Sequence, residues 1–347
     1  MGAVAITPAQ LKLLHLVLGG GSVIDWHGLD MDEPGRVEKF LSLNAYDITR
    51  AADRKRLTHL VKVACDYLIR ELDFPLSTTT RSIADIRQLF YIASGRNKNP
   101  RAALEACAVL KTAHIINHLD GRQLLLHLPI GLEALYDLLR KKISEVLTEI
   151  KARGAPLLKF SGDTKTTLSM VTKLLAKKET IAAEINDRLR FRLITPRKQD
   201  IVPLILALFD KLLPFNYVIP GESINDLVVL PPQDRGWPSP VELARKGLVV
   251  GLHVVEQGLG LVPKINTFTG SSYRIVQFVV DVPFHLGQQK GALSQKAVKD
   301  FGSIVYSKVE FQIVDRSTEL ANNAGDNSHE SYKQRQRLSV LKRIVEG

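Results

Sequence analysis

The chain of 347 residues is 45% apolar and 24% charged, values that are typical of folded globular proteins and exclude a disordered chain. No run reaches the roughly 18 uninterrupted apolar residues of a membrane-spanning helix, so we expect no membrane segment. The formal net charge of +11 favours anionic partners such as nucleotides or RNA, although solubility alone also explains it.

The first half of the chain, residues 1–154, has the periodicity of an α-helical domain. Apolar residues recur every three or four positions in the segments 50–72, 83–94, 101–118 and 130–153. Cys65 and Cys107 lie within these patterns, which favours two buried thiols in a reducing compartment over a disulfide. The apolar run at 11–24 does not have the pattern of a signal peptide, so we expect a cytoplasmic protein.

The second half, residues 155–347, alternates between helical and strand patterns. The predicted helices are 165–178, 198–213 and a long helix from about Ser328. The predicted strands are 189–194, a segment near Leu227, 273–282 and 303–314. Within the Gly- and Pro-rich stretch 231–269 we expect a loop, a short helix at 241–246 and an extra hairpin. The fold class is therefore α+β, with a helical domain followed by a mixed sheet flanked by helices.

Two polar side chains interrupt the last predicted strand. Glu310 and Gln312 are two residues apart, so both leave the same face of the strand. Because burying an unpartnered carboxylate is costly, we expect Glu310 to face a solvated site, a cation or a metal. An edge strand with one polar face is the alternative.

A polar stripe marks the start of the first helix predicted in the second half. Lys165, Ser169 and Lys173 are spaced by four residues in the helix predicted at 165–178, and Gly162 and Asp163 form its predicted start. Two ammonium groups and a hydroxyl near a helix N-terminus suit phosphate oxygens. The alternative is an ordinary solvated helix face with Asp163 as its N-cap.

Two further side chains stand at predicted strand entrances. Asp187 precedes the strand at 189–194, and a carboxylate there suits Mg²⁺, which takes its other oxygens from water and phosphate. The alternative is a turn in which Asp187 pairs with an arginine. Tyr273 follows a small-residue loop at the mouth of another strand, where it can stack on a base or pack in a cross-strand pair.

In this order, these segments resemble the synthetase domain of the RelA/SpoT family, the enzymes that make the alarmone (p)ppGpp. The resemblance covers roughly residues 155–335. The residues that match the family's motifs are Gly162, Lys165, Ser169, Lys173, Asp187, Arg192, Tyr273, Arg274, Glu310, Gln312, Ile313, Gly325, His329, Tyr332 and Lys333.

The resemblance implies a nucleotidyltransferase fold that moves the pyrophosphate of ATP to a ribose 3′-hydroxyl. GDP or GTP is the family's default acceptor, with other nucleotides or an RNA 3′ end as further candidates. Asp187 and Glu310 would be catalytic and hold Mg²⁺. Nucleotides would be bound by Lys165, Ser169, Lys173, Arg192, Tyr273, Arg274, Gln312, His329 and Lys333. The sequence leaves the oligomeric state open.

The chain also departs from the family pattern. Asp163 stands where the family has an arginine, which replaces a favourable charge beside phosphates with an unfavourable one. Val314 and Asp315 replace an Arg-Thr pair, and Gln277 and Glu319 stand at positions that are usually histidine. These departures support a second hypothesis, a synthetase fold that binds a nucleotide, an alarmone or RNA without catalysis.

Overall fold

The computed structural model of this chain describes residues 6–19, 31, 35–94, 99–128, 131–176, 188–231, 272–286, 294–324 and 329–346. The helix predicted at 241–246 and the extra hairpin lie outside these residues, as do Asp187 and Gly325. None of the described helices is long and apolar enough to cross a membrane.

Helices make up the first part of the chain. They are α1 (Pro8–Leu18), α2 (Arg36–Leu43), α3 (Ala51–Leu72), α4 (Thr78–Arg81), α5 (Ile86–Ala93), α6 (Pro100–Leu124) and α7 (Leu132–Ala152), with a 3₁₀ turn at Leu125–His127. The four predicted helical segments are confirmed as α3, α5, α6 and α7. Local signals fix their ends: Asn99 accepts hydrogen bonds from the first turn of α6, and Pro100 supplies its first residue. Cys65 and Cys107 are buried, as predicted.

The described strands form one mixed sheet. They are β1 (Lys159–Thr164), β2 (Leu189–Thr195), β3 (Ile224–Asn225), β4 (Val276–His285) and β5 (Ile304–Asp315). Their order is β1-β2-β5-β4-β3, in which β2 and β5 are parallel and the other neighbours are antiparallel. The predicted α+β fold class, with a mixed sheet flanked by helices, is confirmed.

The remaining helices connect and flank these strands. They are α8 (Thr167–Ala176), α9 (Ile201–Lys211), α10 (Gln295–Phe301), α11 (Arg316–Asn322) and α12 (His329–Glu346), with 3₁₀ turns at Lys198–Asp200 and Phe215–Tyr217. The helix predicted from Ser328 is confirmed as α12, and α8 and α12 pack against each other. Buried apolar residues form one continuous cluster through both halves of the chain, and the domain boundary at residue 154 stays a prediction.

The prediction of a helix start at Gly162 and Asp163 is wrong, because both residues lie in β1. Gly162 pairs with Phe191 of β2, and a Cβ atom at Gly162 would lie 2.6 Å from the Phe191 ring. A glycine therefore lets β1 run beside this large side chain. The helix begins later, where the Ser169 amide donates to Thr166 Oγ1 at 3.3 Å. Lys165 precedes α8, so the predicted stripe is not confined to one helix.

The two faces of the sheet differ in chemistry. On one face Phe191, Phe311 and Phe278 lie side by side on β2, β5 and β4, with ring centroids 5.8 and 5.7 Å apart. All three are completely buried. Burial of a large apolar side chain stabilises a fold by about 1.5–3 kcal/mol, so this aromatic row is a main support of the sheet.

Helix α6 covers one end of the opposite face. Its Asn117 donates through Nδ2 to the hydroxyl of Tyr306 on β5 at 2.6 Å, and its His118 Nε2 lies 2.8 Å from Asp281 Oδ2 on β4. Tyr217 joins the group through a 2.8 Å contact between its hydroxyl and that of Tyr306. These polar contacts attach helix α6 to β4 and β5 at one end of the polar face.

Candidate functional site

Glu310 lies on β5 at the other end of this polar face. It is 6% exposed, and its Oε1 accepts a hydrogen bond from Gln312 Nε2 at 2.5 Å. Arg190 of β2 pairs with Glu310 in the strand register. Glu310 is therefore a buried carboxylate with a polar partner, and the expectation that it faces a solvated site, a cation or a metal stays a prediction. The expectation that both side chains share one face is confirmed by their hydrogen bond.

Arg192 of β2 is at the centre of this group. Its Nη1 donates to Gln312 Oε1 at 2.9 Å and to the Tyr273 hydroxyl at 2.8 Å. Its Nε donates to Glu319 Oε2 at 3.1 Å, and its Nη2 forms an ion pair with the same oxygen. Burial lowers the pKa of Arg192, but the charges and hydrogen bonds of Tyr273 and Glu319 outweigh burial and raise it above its usual value. Arg192 is therefore a fixed cation.

Tyr273 lies just before β4, and its ring is half-buried. The guanidinium carbon of Arg192 lies 6.0 Å from the centroid of this ring. The adjacent backbone is held by α11, because Asn322 accepts a hydrogen bond from the Arg274 amide at 3.1 Å and donates to the Arg274 carbonyl at 2.8 Å. The exposed side chain of Arg274 donates back to the Tyr273 carbonyl at 3.0 Å. The loop that carries Tyr273 is therefore held in a defined position by α11.

Helix α11 brings Glu319 to Arg192. Asp315, the last residue of β5, caps the helix by accepting hydrogen bonds from the amides of Ser317 at 3.0 Å and Thr318 at 3.2 Å. Burial raises the pKa of Asp315, but these amides and the two hydroxyls of the same residues outweigh burial and lower it below its usual value. Glu319 follows one turn after the cap, so a local signal sets its position.

The sequence did not predict Glu319 as a site residue, nor Asn322 or Gln277. Gln277 of β4 accepts a hydrogen bond from Gln312 Nε2 at 3.3 Å and extends the polar group to a third strand. Asp315 was a signal for the helix that carries Glu319, because an aspartate after a strand, followed by serine and threonine, is typical of a helix N-terminus.

The other predicted site residues lie around α8 and α12. Lys165, half-buried before α8, donates its amide to the Arg188 carbonyl at 2.8 Å. Ser169 is exposed, and its hydroxyl accepts from Thr166 Oγ1 at 3.1 Å. Lys333 is exposed on α12. Two more predicted residues are part of these helices: Lys173 belongs to α8, and His329 is the first residue of α12. Hydrogen bonds join Arg192, Tyr273, Glu310 and Gln312, whereas a role for the α8 and α12 residues stays a prediction.

The fit of this site to Mg²⁺ depends on Glu310. Among the residues that the structure describes, no group of three or more His, Cys, Asp or Glu side chains is arranged to hold a metal. Mg²⁺ is usually bound by one or two carboxylates and completes its octahedron with water and substrate phosphates. A single buried carboxylate on a polar face fits that chemistry, provided that a phosphate-bearing substrate supplies further oxygens.

Comparison with solved structures gives three similar proteins. Small alarmone synthetase 1 from Bacillus subtilis is 14% identical with a TM-score of 0.31, over 61% of this chain and 86% of that one. Small alarmone synthetase 2 from the same organism is 13% identical with a TM-score of 0.30, over 61% and 92%. A GTP pyrophosphokinase family protein from Streptococcus pneumoniae is 11% identical with a TM-score of 0.32, over 61% and 83%.

All three belong by name to the class of enzymes that the motifs resemble. No family model matches the chain, and no curated protein matches it.

Proposed function

We propose that this protein is a Mg²⁺-dependent pyrophosphokinase, which transfers the pyrophosphate of ATP to the 3′-hydroxyl of a nucleotide or RNA, with GDP and GTP as first candidates. The observation that carries the proposal is the hydrogen-bonded series Glu310, Gln312, Arg192 and Tyr273. These residues come from three separate segments, and together they offer a carboxylate, an amide, a fixed cation and an aromatic ring on one sheet face.

Each side chain has a role that its chemistry supports. The half-buried ring of Tyr273 stacks on the acceptor base, a contact worth about 1–3 kcal/mol in other nucleic-acid-binding proteins. Glu310 accepts the proton of the acceptor hydroxyl, whose oxygen then attacks the β-phosphorus of ATP while AMP leaves. Gln312 holds the Glu310 carboxylate toward the acceptor.

The donor nucleotide would be bound on the α8 side of the sheet. Lys165, Ser169 and Lys173 supply two ammonium groups and a hydroxyl for its phosphates. Further contacts to the two nucleotides are proposed for Arg274, His329 and Lys333. Mg²⁺, bound by Glu310 together with Asp187, would neutralise charge on the transferring group.

A second candidate, nucleotide or RNA binding without catalysis, is favoured by the acidic residues of the site. Glu319 neutralises Arg192, and Asp163 of β1 pairs in register with Arg190 of β2. Two cations of the polar face thus have acidic neighbours within the chain. A protein of this kind would bind its ligand but form no product.

The test is a transfer assay with ATP labelled in the γ-phosphate, Mg²⁺ and an acceptor panel of GDP, GTP, ADP and an RNA with a free 3′-hydroxyl. The wild-type protein should form a labelled product with at least one acceptor, and Glu310→Gln should lower the rate by about 100-fold or more. Glu133→Gln is the matched control, because Glu133 is exposed on α7 and the charge change is the same.

Product formation that is equal in the wild-type protein and Glu310→Gln would contradict the proposed role of Glu310. If no acceptor is labelled, calorimetry with GDP, GTP and RNA tests the second candidate. Binding of one of these ligands by the wild-type protein, without product, would support a binding protein in place of an enzyme.

A further inference from the structure

The hydrogen bonds of Arg192 leave almost no donor for a ligand. A guanidinium carries five N–H groups, one on Nε and two on each terminal nitrogen. Nε and one N–H of Nη2 are used by Glu319, and both N–H groups of Nη1 are used by Gln312 and Tyr273. Within the part of the chain that the structure describes, one N–H of Nη2 has no further partner.

This arrangement is incompatible with two-point binding of a phosphate. Arginine binds phosphate best through two parallel N–H groups, either from Nε and one terminal nitrogen or from both terminal nitrogens. Glu319 occupies the first edge of Arg192, and Gln312 and Tyr273 use the Nη1 half of the second. A phosphate can take the first edge only if the Glu319 carboxylate leaves.

The position of Glu319 is set by the short helix α11, which has anchors at both ends. Asp315 caps its first turn, and Asn322 at its last turn bonds to the Arg274 backbone. The side chain of Glu319 is 22% exposed, so solvent and a ligand can reach it. The same helix therefore holds both the carboxylate on Arg192 and the loop that carries Tyr273.

We propose that Glu319 occupies the phosphate-binding edge of Arg192 as an internal anion, and that it determines how tightly this site binds the polyphosphate of a nucleotide. The inference rests on the proposed function in one respect, that the site binds nucleotides. A ligand phosphate displaces the carboxylate and takes over its two hydrogen bonds to Nε and Nη2. Separating Arg192 from Glu319 costs free energy, and this cost lowers the affinity of the protein for the ligand.

Calorimetry with two probes, inorganic tripolyphosphate and Mg²⁺-ATP, tests this inference. Glu319→Gln retains an oxygen for Arg192 but removes the charge, so tripolyphosphate should bind about tenfold more tightly than to the wild-type protein. Mg²⁺-ATP should gain in the same direction. Glu71→Gln changes the net charge equally at an exposed position near the end of α3 and should bind both probes as the wild-type protein does.

A second variant guards against a folding defect. Glu319→Ala removes the carboxylate entirely and should also bind tripolyphosphate more tightly, while thermal unfolding shows whether each variant is folded. Unchanged or weaker binding by both folded variants would overturn the inference, and so would the absence of binding in all forms, because a released Arg192 should bind the probe.

The outcome is independent of catalysis. If the Glu319 variants gain affinity but no form of the protein makes a pyrophosphorylated product, the role of Glu319 stands and the proposed enzyme activity fails. If the wild-type protein makes the product and the Glu319 variants bind as it does, the enzyme activity stands and the role of Glu319 fails.

Discussion

The same strands carry apolar side chains on one face of the sheet and polar side chains on the other. On one face Phe191, Phe311 and Phe278 are completely buried against one another. On the other face Arg192 and Gln312, which lie next to these phenylalanines in the sequence, are held by hydrogen bonds and remain partly accessible. Because side chains alternate along a strand, the rigid aromatic row fixes the positions of the polar groups across the sheet.

Residues that stabilise the sheet therefore differ from those proposed to bind a ligand, although they alternate along the same strands. Substitutions in the aromatic row should cost stability first, whereas substitutions at the open end of the polar face should change ligand binding and leave the fold intact. Four substitutions test this difference between the two faces.

Phe311→Ala should have the largest effect. Phe311 packs between Phe191 and Phe278, so truncation leaves a cavity and should lower the free energy of unfolding by about 3–5 kcal/mol. Urea denaturation measures the change. Leu126→Ala, at a side chain that is 85% exposed, should change it by less than about 0.5 kcal/mol. Similar small costs at both positions would contradict the structural role of the aromatic row.

Tyr273→Ala should weaken ligand binding instead of the fold. Loss of the stacking ring should weaken binding of the acceptor nucleotide by about 10- to 100-fold, while unfolding is little affected. Tyr273→Phe keeps the ring, removes only the hydroxyl bonded to Arg192, and is the matched control. If calorimetry shows that Tyr273→Ala binds the acceptor as tightly as the wild-type protein does, the stacking role of Tyr273 is contradicted.

Tyr306→Phe tests the end of the polar face that α6 covers. The substitution removes a buried hydroxyl that accepts from Asn117 Nδ2 at 2.6 Å and contacts the Tyr217 hydroxyl at 2.8 Å, so the free energy of unfolding should fall by about 1–3 kcal/mol. Nucleotide affinity should not change. Tyr67→Phe, on an exposed side chain, is the control. A loss of nucleotide binding without a loss of stability would place this end within the ligand site.

Asp315→Asn should have the smallest effect, and one that depends on pH. The pKa of Asp315 is lowered in the folded protein, so its ionised form stabilises the fold above the unfolded pKa, and this contribution is lost as pH falls through the folded pKa. At pH 7 the variant should be less stable by roughly 0.3–1 kcal/mol. The difference should shrink on acidification toward pH 3, as followed by urea denaturation.

The control is Asp300→Asn, whose side chain is exposed on α10. A difference between the wild-type protein and Asp315→Asn that grows on acidification would contradict the assigned charge state of Asp315.

Much of the fold could be predicted because its long elements have strong apolar periodicity, as in α3, α6, α7 and β5. Strand β1 was missed because Gly162 and Asp163 have low strand propensity and resemble a helix start. Only the distant partner Phe191 explains the glycine. The short helix α11 was missed because seven residues are too few for a periodic pattern.

Part of the candidate site could also be predicted from periodicity along the chain. Alternation along a strand predicted that Glu310 and Gln312 share a face, and Arg192 and Tyr273 were predicted as nucleotide-binding residues. Their hydrogen bonds to each other depend on strand register, which a single sequence does not specify. The ion pair between Arg192 and Glu319 joins positions 127 residues apart and is likewise a property of the folded chain.

A structure of the protein with Mg²⁺, a non-hydrolysable ATP analogue and GDP would test the proposed function. We expect the acceptor base to lie against the ring of Tyr273 and the 3′-hydroxyl of the acceptor ribose to be within hydrogen-bonding distance of Glu310. Nucleotides bound elsewhere, with no base against Tyr273 and no ribose hydroxyl near Glu310, would contradict the proposed function.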